Sequence, residues 1–390
     1  MSRLTTMRRA QSRSQSGVAL LMVLVLVTLL AAVVTEFTFN SRVDLQLAVN
    51  SRDELQAEYN ALSALRLRAV ILRQSQKIKL IVTQLMGGDA GSFPLGQILE
   101  MIPVECGLMS AIIQTSESGE GDEEGGGGDF FQGDCLATSE SEHSKISLNV
   151  LDSNSKQDAL QIAEYLYALL LDPKLERHFQ EDDKNGGHAE TPVELVGAVA
   201  DWIDRDDNEF GTQVGDEGRH YAYLRDSYEA KNAPLDSVAE IQLIHGIDDE
   251  MYALLKDSLT IYPSTAQIEL GTASAMTINQ GILSCRIEGI FPDQVMMNPA
   301  YQAFWMAFGP LKQASSVGMG VLNVTILKTL LMEAGLGAMI DIQKVAQKFT
   351  DKSNNVWFTI HAEGHVGNAS RRIKTVFQAR EGRFYYARVE

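Results

Sequence analysis

The segment Asp204-x-Asp206-x-Asn208 sets oxygen donors at positions 1, 3 and 5 of a loop. That spacing opens an EF-hand, because a tight loop turns alternate side chains toward one cation. The motif then breaks, since position 6 is Glu209 rather than glycine and position 12 is Gly215 rather than glutamate. Asp216 and Glu217 follow closely and are suited to close the coordination, for which calcium takes about six to eight oxygens. Asp201 and Asp207 lie at the margin of this group, and Glu181-Asp182-Asp183-Lys184-Asn185-Gly186 is a second acidic loop of the same kind. On spacing alone, a solvated acidic loop is the commoner meaning of such runs.

Other groupings are weaker. His361-Ala-Glu-Gly-His365 invites comparison with the zinc-protease motif H-E-x-x-H, but its glutamate is displaced by one and a glycine intrudes at a strand end. Leu243-Ile244-His245-Gly246-Ile247 resembles the turn of a helix-hairpin-helix, which offers backbone N–H groups to phosphate. Asp248, Asp249 and Glu250 follow at once and would repel that phosphate, while suiting the positive end of a helix. A structural helix pair is expected there. No Ser/His/Asp elbow, Walker loop or Cys-x-x-Cys occurs, so a non-enzymatic protein is expected. Cys106 and Cys135 flank an acidic Gly-rich tract, and a disulfide between them would close it, leaving Cys285 unpaired. Three pairings are open on sequence alone.

The elements that position these groups begin with composition. Of 390 residues 45% are hydrophobic and 22% charged, which suits a globular protein of two or three domains. Thirty-three basic against 51 acidic residues leave a net charge of −18, which excludes a general nucleic-acid binder. Arg3, Arg8, Arg9 and Arg13 precede an apolar run, VALLMVLVLVTLLAAVV, from Val18 to Val34. Extended through Phe39, that run spans roughly 30 Å as a helix, a bilayer core. The arginines place its start in the cytoplasm. No proline or glycine occurs between Val18 and Met86, and Leu55, Tyr59, Leu62, Leu65, Ala69 and Leu72 recur on one helical face. A single helix over 18–86 is expected, apolar first and amphipathic afterwards.

A basic leader ending in Gly17, directly before the apolar helix, resembles the signal of type IV pilins and pseudopilins. The resemblance implies cleavage after Gly17 by a prepilin peptidase and methylation of Val18. Most members carry a glutamate at the fifth mature position; here that position is Met22. The K-type minor pseudopilins of type II secretion systems lack it too. LVGAVADWIDRDDNEFG (195–211), AKNAPLDSVAEIQLIHGIDDEMYALLKDSLTIYP (230–263) and WFTIHAEGHVGNASRRIKTVFQAR (357–380) resemble segments of that family in the same order. GDEGRHYAYL (215–224) does so with Asp216 and Gly218 departing from its pattern. Residues 85–145 and 280–345 match poorly.

The resemblance implies an α+β fold, in which a pilin-like long N-terminal helix packs on an antiparallel sheet with a large, mainly helical inserted domain. The expected organisation is a leader at 1–17, the long helix at 18–86 and the first part of the head at 87–150, including the low-complexity tract SESGEGDEEGGGGD. The insert then covers 151–275 and the rest of the head 276–390. KISLNV (145–150) is expected as a strand. Helices are expected at 156–171, 191–204, 234–245, 248–258 and near 321–335. An aromatic cluster combines Phe291, Tyr301, Phe304, Trp305 and Phe308, and a strand meander closes the chain. The resemblance also implies calcium in the helical domain, which shifts the balance toward a metal site at Asp204, Asp206, Asn208, Asp216 and Glu217. It implies assembly with I-type and J-type minor pseudopilins, with H-type and major pseudopilins below, at the tip of a pseudopilus rooted in the inner membrane. Alternatives are a minor pilin of a type IV pilus or competence system, or a signal-anchored periplasmic calcium-binding protein.

Overall fold

The computed structural model describes residues 16–86, 100, 102–107, 132–180, 191–205, 210, 221–222, 226–316, 322–351 and 356–389. The first fifteen residues, the acidic Gly-rich tract and the 181–186 loop lie outside them. Helix α1 runs unbroken over Ser16–Met86, 71 residues, or about 105 Å. Nothing in its sequence interrupts it, because the one glycine, Gly17, sits at its first turn and no proline occurs.

The second half of α1 packs on a five-stranded antiparallel sheet of order β1-β2-β7-β8-β9. Its strands are β1 (Val104–Glu105), β2 (Asp134–Ser141), β7 (Trp357–Val366), β8 (Ala369–Gln378) and β9 (Arg383–Val389). β7 and β8 form a hairpin in register from Trp357↔Gln378 to Val366↔Ala369. Its turn is Gly367-Asn368, with Gly367 at φ +58°, a conformation that glycine adopts freely.

The face that α1 buries coincides only in part with the expected one. Leu55 and Tyr59 are exposed, whereas Ala57, Asn60, Ala61, Ala64, Leu65, Arg68, Ala69, Leu72 and Ser75 are buried. Alanines let the helix backbone approach the sheet closely. At the closest approach stands Gly364, where an added Cβ would meet the Ala57 carbonyl oxygen at 2.0 Å and the Ala61 nitrogen at 2.7 Å. Of the expected face, Leu65, Ala69 and Leu72 are buried as expected, and small residues take the places expected of Leu55 and Tyr59. Cys106, just after β1, and Cys135 of β2 pack in this core and are joined by a disulfide with Cα atoms 5.0 Å apart. Cys285 is free and buried elsewhere.

Between β2 and β7 the chain forms a mainly helical body. Its longer helices are Lys156–Leu170, Pro192–Ile203, Pro299–Ser316 and Val324–Glu333. Two short parallel pairs tie it together: β3 (Ile146–Ser147) with β4 (Leu259–Thr260), and β5 (Ile268–Glu269) with β6 (Phe349–Thr350). Its buried apolar residues form one cluster running from Ile146 to Phe349. The body therefore continues past residue 275, and the described residues 276–316 and 322–349 pack within it rather than on the sheet.

Three local expectations are corrected. KISLNV gives a strand of two residues and then a 3-10 turn over Leu148–Asp152. There Asn149 turns inward, its amide donating to the Leu235 and Ile261 carbonyls at 3.0 and 3.1 Å. The 234–245 stretch holds only a 3-10 helix, Val238–Leu243, started by a Ser237–Glu240 capping box. Of the aromatic cluster, Tyr301, Phe304 and Phe308 are buried on one helix, but Phe291 is exposed.

The Gly364 contact carries a prediction. Gly364→Ala forces the helix off the sheet, at a cost of about 1–3 kcal/mol by analogy with overpacked cores. A melting curve of the full chain in neutral detergent should shift down by several degrees, and an unshifted curve would contradict the packing.

Candidate functional site

The functional surfaces are the two halves of α1 and the joints that fix the helical body to the sheet. Every residue from Gly17 to Arg52 is exposed. Among the described residues, this helix alone is long and apolar enough to cross a membrane. Its polar groups fit that setting. The hydroxyls of Thr28, Thr35 and Thr38 donate to the carbonyls of Val25, Ala31 and Val34 at 2.9, 2.7 and 2.7 Å, so none needs water. The first acidic side chain is Glu36, and Met22 presents only an exposed thioether chain. Gly17 and Val18 lie exposed in the first turns of α1, and nothing approaches within 4 Å of the position a Gly17 side chain would take.

Arg68 joins α1 to the head. It is a charged side chain that is only 1% exposed. Its Nη1 donates to the Ile102 carbonyl at 2.5 Å and its Nη2 to the Glu100 carbonyl. Nε and Nη2 donate to Ser139 Oγ of β2 at 3.1 and 2.7 Å. Burial pulls its pKa down to about 10, and the Glu100 carboxylate opposes that pull, so the guanidinium stays charged at neutral pH.

Glu142 joins the sheet to the helical body. It is 3% exposed, at the point where the chain leaves β2. Lys145 Nζ donates to it at 2.8 Å, Thr359 of β7 at 2.5 Å, and Thr260 of β4 donates as well. At the far end of the body, Lys348 is buried, donates to Glu164 at 2.5 Å and lies 4.7 Å from the Tyr165 ring centroid. Sequence reasoning missed all three buried charges. Other polar or charged residues stand within a few positions of each, so nothing local sets them apart.

Of the proposed calcium ligands, Asp204 ends the Pro192–Ile203 helix as its C-cap. Asp206, Asn208, Asp216 and Glu217 lie outside the described residues, as does Asp207. Asp201 accepts from the Phe210 backbone at 2.5 Å, which brings the chain after Asp204 back to the helix end. No cluster of metal-binding side chains occurs among the described residues. His361 and His365 stand on β7, where four residues of strand separate their Cα atoms by about 13 Å. Glu363 between them pairs with Arg372 at 2.6 Å. Asp248 caps the helix Asp249–Leu255 by accepting from Met251 at 2.6 Å, which accounts for the acids after the Gly246 turn.

An apolar rod of membrane length that continues as the spine of an antiparallel sheet defines a long-helix α+β architecture and is consistent with a membrane anchor. Residues 144–264, about a third of the chain, match the family model for type II secretion system (T2SS) protein K. Over that stretch the chain is similar to that family. It is also similar to a chain in the crystal structure of the GspK-GspI-GspJ complex from the enterotoxigenic Escherichia coli type 2 secretion system. That likeness has 14% identity and a TM-score of 0.40, covering 66% of this chain and 80% of that one. No curated protein sequence matches the chain.

Glu142 gives a pH prediction. Burial pushes its pKa up, but Lys145 and the two threonine hydroxyls outweigh that and hold it below its ordinary value of 4.5. A pKa depressed in the folded state adds stability above the unfolded value and loses it as pH falls through the folded one. Glu142→Gln should melt lower than the parent at neutral pH, and the gap should close on acidification below about pH 4.5. A gap that stays constant would exclude the ionised clasp.

Proposed function

We propose that this subunit stands at the tip of a type II secretion pseudopilus, where it initiates assembly and caps the filament during protein export across the outer membrane. The observation that carries this reading is the apolar rod itself, which has no carboxylate before Glu36. A carboxylate in lipid is tolerated only with a partner such as a neighbouring N-terminal amine. A subunit with no successor above has no amine to receive. The helical body between β2 and β7 adds bulk that suits a terminal place.

In this reading the prepilin peptidase cuts after Gly17 on the cytoplasmic side and Val18 is methylated. The N-terminus of the precursor faces the cytoplasm, α1 crosses the inner membrane and the head lies in the periplasm. The I-type and J-type minor pseudopilins are its neighbours, as GspI and GspJ are for GspK in the E. coli complex. The H-type and major pseudopilins follow below. Intact mass of the membrane-extracted protein tests this directly. A chain beginning at methylated Val18 is expected, and Gly17→Glu should leave the leader attached and abolish secretion. Normal secretion by that variant would refute the assignment.

Calcium belongs to the same reading. Asp204, Asp206, Asn208, Asp216 and Glu217 supply only oxygen donors, the set a hard cation prefers. A ligand bound to the folded state alone stabilises it by about 2.7 kcal/mol at a hundred times Kd. Chelation should therefore lower the melting temperature by a few degrees, with calcium, but not magnesium, restoring it. Identical curves with and without chelator would discard the site.

A further inference from the structure

The five-stranded sheet ends in two unlike edges. β1 closes one of them with two residues, a length at which an edge offers little to pair with. β9 closes the other with seven, Arg383–Val389, and every one of them is exposed. It contains neither proline nor lysine, two of the devices that keep natural edges from pairing. One device is present, a bulge at Val376 and Phe377 that bends the start of the strand. From Tyr386↔Val376 to Val389↔Ile373 the ladder with β8 is regular. Alternate residues of that stretch turn their N–H and C=O groups outward, where no strand pairs with them among the described residues.

The side chains of β9 are not those of a solvated edge. Phe384, Tyr385, Tyr386 and Val389 are all large and exposed. Tyr385 packs on Trp357 with ring centroids 4.7 Å apart and Phe384 on Phe377 at 4.9 Å, which holds both rings in place. On the sheet face opposite α1, His361, Lys374 and Arg388 stand in one row across β7, β8 and β9. Burial holds His361 below its ordinary pKa, so Lys374 and Arg388 carry the charge of that row. Like charges directly opposite one another disfavour the pairing. The carboxylates nearest the row, Glu140, Glu142 and Glu363, lie on or just after β2 and on β7, and Glu363 pairs with Arg372 at 2.6 Å. β8 and β9 carry no acid, and Glu381 in the turn between them serves Arg383 at 3.8 Å and Tyr385 at 3.1 Å. Glu390 lies outside the described residues.

We infer that β9 takes up a sixth strand, an extended segment of another polypeptide in which apolar residues alternate with carboxylates. The edge decides the shape of the occupant, because a row of outward N–H and C=O groups is satisfied by an extended backbone laid beside it. The row decides the charge. Its next rung beyond Arg388 falls on the added strand, and a carboxylate there sets a counter-charge against Arg388 and, one strand further in, Lys374. On the opposite face, Ala387 and Val389 meet the apolar alternates of the incoming segment. Binding is read on the isolated chain, so its failure leaves the tip assignment untouched.

The test uses the full chain in neutral detergent with a fluorescein-labelled octapeptide, TVEVTVEV, followed by anisotropy at low salt. Saturable binding is expected, with amide hydrogen exchange slowed in β9 and not in β1. The same peptide with proline at both threonine positions should not bind, since proline cannot complete the ladder. Arg388→Glu, which sets a carboxylate opposite Lys374, should weaken binding roughly tenfold. A peptide with lysine in place of glutamate should bind that variant more tightly than it binds the parent. Matching melting curves establish that the variant folds. Absence of saturable binding, equal binding of the proline peptide, or slowed exchange confined to other strands overturns the inference. So does concentration-dependent dimerisation that slows exchange in β9 without peptide, which would make a second copy of the chain the occupant.

Discussion

One helix has to serve two surroundings, one outside the fold and one inside it. The first half of α1 exposes every side chain from Gly17 to Arg52, and the second half inserts into a protein core. Because the backbone is continuous, the residue types must change without a break in helical hydrogen bonding. The first half meets this with branched and long apolar residues, and with threonines whose hydroxyls return to their own carbonyls. The second half meets it with alanines. Where a strand passes over Ala57 and Ala61, only glycine fits, and Gly364 occupies that place. The sheet order follows, since β7 is the central strand and makes the most extensive approach to the helix.

Buried ionic groups mark the joints around that spine. Arg68 ties α1 to β2 and to the segment before β1. Glu142 ties the exit of β2 to β4 and β7. Lys348 ties the last helix of the body to Glu164 on its first long helix. Replacing such groups with apolar residues of matched shape would often cost nothing, so their presence does not by itself mean added stability. What they supply is position. A greasy joint tolerates sliding, whereas a buried guanidinium with several directed acceptors has one satisfied geometry.

The long helix and the closing hairpin were legible because their signals are local. An uninterrupted run without proline marks the first, and alternation around Gly367-Asn368 marks the second. The inward face of α1 was legible only in part. Leu65, Ala69 and Leu72 were read correctly, but Leu55 and Tyr59 look like core residues and are exposed, because near Gly364 the close approach is made by Ala57 and Ala61. The 145–150 stretch alternates like a strand, yet Asn149 finds its partners at Leu235 and Ile261, far along the chain. The extent of the helical body was hidden for the same reason. The described residues 276–316 and 322–349 close a core whose other half begins at Ile146. For the candidate metal loop, sequence supplies the donor types, while the fold places Asp204 and turns the chain back through Asp201 and Phe210.

The site of the insertion explains how so large a body is accommodated. β2 and β7 are neighbours in the sheet and pair in unbroken register from Asp134↔His365 to Ser141↔Phe358. A hairpin loop joining them would serve the sheet equally well, so lengthening that loop leaves the ladder intact. Loop-closure entropy grows only slowly with length, and the body repays it through a hydrophobic cluster of its own. The surface of α1 below the head is untouched by the addition. A chain built this way keeps the exposed apolar half of α1 free. Its new mass is confined to the head, and Glu142 helps hold that mass against the sheet at a buried clasp, beside the stacked rings of Tyr262 and Trp357.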